Sequence, residues 1–186
     1  MSQKNFINNY LKTYKNLLSV DVSYEISRLK EKMLETRSQE AKLIFAGNGA
    51  SSSIASHCAL DFSKQAKIKS LCFSDSSYIT ALSNDCGYEE WLKVALSHHL
   101  ELNDLVVLIS SSGNSENIIR AAQYAKEQNA TVVGFSGMKS NNRLRSLCDF
   151  DFWVDNMSYN IIENIHSIWL TIICDLIIGS REYSVE

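Results

Sequence analysis

Residues 104–116 read DLVVLISSSGNSE, and this stretch decides the fold. Asp104 to Ile109 is a short apolar run rich in β-branched residues, which reads as a strand buried on both faces. At Ser110 the chemistry changes. Four hydroxyls, on Ser110, Ser111, Ser112 and Ser115, crowd around Gly113, and a helical pattern then runs from about Ser115 to Gln128. Such a turn offers side-chain O–H donors together with free backbone N–H groups at the positive end of a helix dipole. That combination suits the oxygens of a phosphate group. Helix capping alone explains one or two of these residues, not four hydroxyls. No lysine follows the glycine, so the turn is not a nucleotide P-loop.

Working outward, the same grammar repeats. Lys42 to Ala46 (KLIFA) reads as a buried strand, Gly47-Asn48-Gly49-Ala50-Ser51-Ser52-Ser53 as a second strand-to-helix turn, and Ser51 to Lys64 as a helix. This turn lacks the third glycine of the dinucleotide fingerprint, because that spacing falls on Ser52, so no nucleotide cofactor is expected. Ile68 to Phe73, Ala130 to Phe135 and Phe150 to Val154 read as further strands. Ile79 to Leu82, Glu89 to Leu100 and Asn160 to Ile178 read as helices. Strands alternating with helices predict a parallel sheet with helices on both faces, an α/β three-layer sandwich. Ligands of such sheets sit beyond the carboxyl ends of the strands, where both turns lie. Two helices precede the first strand. One carries the stripe Phe6, Ile7, Tyr10, Leu11, Tyr14, Leu17 and Leu18; the other runs from Asp21 or Ser23 to about Arg37, with Ile26, Leu29, Met33 and Leu34 on one face. These stripes must bury against something, and a partner subunit is one candidate.

The bulk numbers narrow the classes. The chain has 186 residues, 45% of them apolar and 21% charged, which suits one soluble domain spanning 1–186: a helical oligomerisation segment over 1–38 and an α/β core over 42–180. A net charge of -3 with no Lys/Arg cluster argues against direct nucleic-acid binding. Five scattered cysteines, with no Cys-x-x-Cys pair, argue against a disulfide framework and for a reducing, cytoplasmic setting. No signal peptide is apparent at the amino terminus. The most apolar segment, 161–178, is interrupted by Glu163, Asn164, His166 and Asp175, which marks a buried helix and not a membrane span.

GNGASSSIASHCALDF, then NDCG at Asn84 to Gly87, then SSSGNSENIIRAA, then IIENIH resemble, in that order and over nearly the whole chain, the phosphoheptose isomerase branch of the SIS-domain family. The resemblance implies a flavodoxin-like, SIS-type sandwich assembled as a homotetramer with active sites between subunits. It also implies conversion of sedoheptulose 7-phosphate into an aldoheptose 7-phosphate, D-glycero-manno-heptose 7-phosphate. A related branch is a non-catalytic regulator of replication initiation, so a non-catalytic sugar-phosphate binder or regulator is the alternative. By matching positions, Asn48 and Ser51 correspond to first-turn substrate contacts, and Ser110, Ser111, Ser112 and Ser115 to the phosphate cradle. Asp85 corresponds to the middle-loop Asn-Asp pair, and His57 to a metal-ligand histidine.

The departures concern the chemistry. Asp61 stands where the family has a catalytic glutamate, Glu163 where it has a glutamine, Asn160 where it has an aspartate and Gln65 where it has an arginine. Thr171 stands where it has a second catalytic histidine. Isomerisation of an aldose and a ketose moves a proton between adjacent carbons, and needs a base in reach and a group that stabilises the enediol oxygens. Asp61 and Glu163 are the candidate catalytic residues. Asp61 is shorter by a methylene, and a displacement of about 1 Å can cost roughly 100-fold in rate. Thr171 cannot replace an imidazole. His57 and Asp61, at i and i+4, could join Glu163 around zinc or another divalent metal; the alternative is that they only hydrogen-bond within a polar cleft. His98 and His99 read as solvated surface, and Trp91, Trp153 and Trp169 as packing residues.

Overall fold

A computed structural model describes residues 1–182. Five parallel strands form one sheet: β1 (Leu43–Gly47), β2 (Ser70–Cys72), β3 (Leu105–Ser110), β4 (Thr131–Gly137) and β5 (Phe150–Val154). Their order is β2-β1-β3-β4-β5, the flavodoxin-like order. Chain direction across the sheet switches between β1 and β3, which pair from Leu43 opposite Leu105 to Gly47 opposite Ile109. The two loaded turns therefore leave neighbouring strands at the switch point.

The strands are apolar on both faces because both faces are covered. Leu43, Phe45, Leu105, Val107, Ile109, Val133 and Phe135 pack into one core with α2 (Ser23–Ser38), α3 (Ala50–Lys64) and α7 (Tyr159–Ile178). Ile44, Ala46, Val106, Leu108 and Val132 alternate into the other, against α5 (Trp91–His99) and α6 (Glu116–Glu127). α4 (Ser76–Cys86) borders that second core through Tyr78, Ile79 and Leu82. At the amino ends of the strands, buried Asp104 accepts from the Lys42 and Glu101 backbone N–H groups at 2.9 and 2.8 Å, and pairs with Lys42 Nζ at 2.7 Å. That latch sets the register of β1 against β3.

Elements follow the sequence reading with three differences. β2 is three residues long and not six, because an edge strand pairs only where β1 offers partners, from Leu43 to Phe45. The first middle helix, α4, is longer than Ile79 to Leu82, with Asp75 capping it through the Tyr78 N–H at 3.0 Å, and the second, α5, is shorter than Glu89 to Leu100. A short 3₁₀ turn over Arg145–Leu147 was not foreseen. The apolar 161–178 segment is a core helix: Ile161, Ile162, Ile165, Trp169, Leu170 and Ile173 face inward, although its length and hydropathy would suffice to cross a membrane. α1 (Gln3–Leu18) buries no residue completely. It leans on α7 through Tyr14, whose hydroxyl donates to the Asn160 carbonyl at 3.3 Å and accepts from Asn164 at 2.7 Å.

Candidate functional site

The turn after β1 is built by two glycines. A Cβ on Gly47 would lie 2.7 Å from the backbone of Ser51, so the first turn of α3 can approach the strand only over a glycine. Gly49 holds φ 56° and ψ -126°, a region open to little else, and thereby aims Asn48 across the switch point. In the turn after β3, Gly113 holds φ +62°, and its α-carbon rests on the side chain of buried Asn142. Asn142 is itself fixed by the Ser136 hydroxyl and the Gly137 and Lys139 carbonyls, at 3.0–3.2 Å. The cradle thus has a rigid floor.

Between the turns lies a cavity of about 100 Å³ lined by Asn48, Ser51, Ile109, Ser110, Ser111, Ser112, Ser115, Tyr159 and Glu163. The backbone N–H groups of Ser111, Ser112 and Ser115 find no acceptor among the described residues, and the first turn of α6 points its N–H groups the same way. Ser110 Oγ donates to Ser115 Oγ at 3.4 Å, and Ser111 Oγ to Glu163 Oε1 at 3.4 Å. The lining holds no lysine or arginine. Nearby Arg120 is engaged with Glu116, Glu89 and Glu90, and Arg143 with Glu116. Those bonds hold the Glu116 and Glu90 carboxyls below the usual range, through Arg143 first for Glu116 and Arg120 first for Glu90. Anion affinity must come from hydroxyls and amide dipoles. A wider groove opens at the amino ends of the strands, around Leu100–Asp104 and Gln128–Thr131, but its buried carboxylate, Asp104, is already satisfied by Lys42.

Seven of the expected residues, Asn48, Ser51, Ser110, Ser111, Ser112, Ser115 and Glu163, meet in this cavity. Three do not. Asp61 follows Ser51 by ten residues of one helix, about 15 Å along its axis. It lies instead near Cys58 and Cys174: burial chiefly, and the Asp61 charge next, push both thiols up to about 12. Cys174 follows Glu163 by eleven residues of α7, about 16 Å. His57 stays with Asp61, its Nε2 lying 3.2 Å from Oδ2. The expected set of His57, Asp61 and Glu163 is therefore not assembled within one chain, and no three His, Cys, Asp or Glu among the described residues come together as metal ligands. Helical spacing put His57 and Asp61 correctly on one face, but a face is not a reach. Asp85 is exposed at the end of α4, where its carboxylate accepts from Asn84 at 3.1 Å, and it does not line the cavity.

The middle loop instead contributes Tyr88, whose hydroxyl donates to Asn48 Oδ1 at 3.0 Å. Asn117 forms a reciprocal amide pair with Asn48, both bonds at 3.0 Å. Sequence reasoning missed Tyr88, Asn117 and the lining residue Tyr159. Thr171 spends its hydroxyl on the Ser167 and Ile168 carbonyls and offers no acid or base. His166 is no substitute: it is fully buried, donates from Nε2 to the Ser136 carbonyl at 3.0 Å, and burial lowers its pKa to about 4. His98 and His99 are exposed and share the Tyr78 hydroxyl, each at 3.2 Å.

A profile of the SIS domain matches residues 6–137. The chain is 29% identical over 156 residues to a protein of Fusobacterium nucleatum named phosphoheptose isomerase, covering 81% of this chain and 80% of the relative. It is 32% identical over 158 residues to one of that name from Aneurinibacillus thermoaerophilus, covering 82% and 79%. The solved structure of a phosphoheptose isomerase from Francisella tularensis shares the fold, with a TM-score of 0.89 at 22% identity over 97% of this chain and 100% of the other.

Proposed function

This chain belongs to the SIS domain family, in its phosphoheptose isomerase branch, and on that premise we propose that it is an aldose–ketose isomerase interconverting sedoheptulose 7-phosphate and D-glycero-manno-heptose 7-phosphate. One observation carries the reading: a cradle of donors and a carboxylate acceptor face each other across one small cavity. Ser110, Ser111, Ser112, Ser115 and the N-terminus of α6 hold the phosphate, an acceptor-only group. Glu163 accepts from sugar hydroxyls at the other wall and serves as a base for the proton that moves between adjacent carbons.

Asp61 joins the reaction from a neighbouring subunit of a homotetramer, since its own α3 carries it away from its own cavity. Unburied apolar side chains support such an assembly: Phe6, Ile7 and Leu11 on α1, Leu60 on α3, and Ile172 and Leu176 on α7. Leu60 sits beside Asp61, so an interface over this face would carry Asp61 with it. Five free cysteines support a reducing, cytoplasmic setting.

Proton exchange tests the reading. In deuterated water, sedoheptulose 7-phosphate should gain deuterium and yield an aldose with the unmodified protein, and with neither Asp61→Asn nor Glu163→Gln. Binding of the sugar phosphate without exchange would end the isomerase reading. The second reading, a non-catalytic sugar-phosphate binder, would then stand, and the consumed hydroxyl of Thr171 is the observation that favours it.

A further inference from the structure

We propose that Tyr88 is a positioning residue of this cavity: acting through Asn48, its hydroxyl fixes the carboxamide that faces the ligand and ties the loop between α4 and α5 to the bound anion. The proposal rests on the cavity being the phosphate site. Asn48 Oδ1 accepts two bonds, from Tyr88 Oη and Asn117 Nδ2, both at 3.0 Å. A carboxamide oxygen has two lone pairs, so none is left. Nδ2 gives one N–H to Asn117 Oδ1 at 3.0 Å, and one N–H remains. Asn48 can therefore offer a ligand only a donor, which is what phosphate oxygens and a ketose carbonyl require.

The two partners of Asn48 differ. Asn117 is 2% exposed in the first turn of α6 and is locked by packing. Tyr88 is 55% exposed, so its place is set by the hydroxyl and not by burial of the ring. Its loop is gripped once more by Arg120 of α6, through Glu89 at 2.9 Å and through Glu90. One helix thus presents its N-terminus to the anion, Asn117 to the first turn, and Arg120 to the middle loop. Tyr88 closes the circuit, because it joins that loop directly to a cavity-lining side chain.

The test is a double-mutant cycle in the full chain, with Tyr88→Phe, Asn48→Ala and both together, titrated calorimetrically with inorganic phosphate and with sedoheptulose 7-phosphate. Tyr88→Phe should weaken phosphate binding about five-fold, the share of one hydrogen bond, and leave the melting temperature unchanged. In the Asn48→Ala background it should weaken binding no further. Wild-type affinity in Tyr88→Phe, or a loss that adds in full to that of Asn48→Ala, overturns the proposal. If the coupling appears with inorganic phosphate while the heptose phosphate binds no better than phosphate, the sugar assignment fails and the role of Tyr88 stands.

Discussion

The Glu163 carboxylate accepts from the Ser111 hydroxyl at 3.4 Å across the cavity, so an acidic group stands within hydrogen-bond reach of the serine turn. This contact crosses 52 residues of chain and joins the start of α7 to the turn after β3. It sets two demands against each other. A carboxylate is the base that isomerisation needs, yet its charge opposes a phosphate held nearby.

Glu163→Gln should separate those demands. The amide keeps a partner for Ser111 and removes the charge, so inorganic phosphate should bind several-fold more tightly. Turnover of the heptose phosphate should fall at least about 100-fold, the usual scale for loss of a general base. Calorimetry beside a kinetic assay decides. Equal losses in both would remove Glu163 from the role of base.

The serines predict the opposite pattern. Ser110→Ala and Ser112→Ala each delete a donor to a charged ligand, so phosphate affinity should drop about ten-fold or more per residue. Dialysis against a chelator should leave that affinity unchanged, because the cradle is made of hydroxyls and amides. A chelator-sensitive dissociation constant would mean that a metal holds the phosphate.

Gly113→Ala should be among the most damaging changes of one methyl group. The added Cβ would meet Asn142 Oδ1 at 2.0 Å, at φ +62°, and Asn142 is buried and anchored by Nδ2, whose two hydrogens are shared among three acceptors. A loss of about 2–3 kcal/mol is expected from urea denaturation. Gly49→Ala meets no atom within 4 Å and should show only the backbone strain. Equal stabilities for the two variants would contradict this packing.

His166 should make the fold acid-sensitive. Its folded pKa, lowered to about 4 by burial, lies below the ordinary 6.5, so between those values the unfolded chain binds a proton that the folded chain refuses. The stability from the neutral ring is full above pH 6.5 and is lost as pH falls toward 4, by roughly 3 kcal/mol. His166→Gln keeps a donor for the Ser136 carbonyl and should flatten that part of the pH dependence. An unchanged slope in denaturation at pH 7 and pH 4.5 would show that other groups carry it.

What the sequence made legible follows its local rules. Strands buried on both faces announce themselves as apolar runs, and glycine beside hydroxyls marks the strand-to-helix turns, so β1, β3 and the two turns that border the cavity could be read directly. Asp61 could not be placed. Its helical face was readable, but whether a side chain ten residues along α3 still reaches the cavity is a question of distance, answered only by the helix axis. Asp85 was drawn from resemblance, and the last turn of α4 leaves it exposed while the loop that follows brings the Tyr88 hydroxyl to Asn48. Asn117 looks like an ordinary polar residue of a surface helix; nothing local betrays that its partner is 69 residues away.

A cavity that attracts an anion with dipoles and hydroxyls has a short-ranged field. The chain carries a net charge of -3, and the cavity wall holds a carboxylate and no arginine or lysine to offset it. A sugar phosphate approaching from a distance meets mild repulsion and finds its hold only on contact. Capture is therefore not steered: it should quicken as salt screens the approach, and selectivity rests on the fit of donors to oxygens and not on charge.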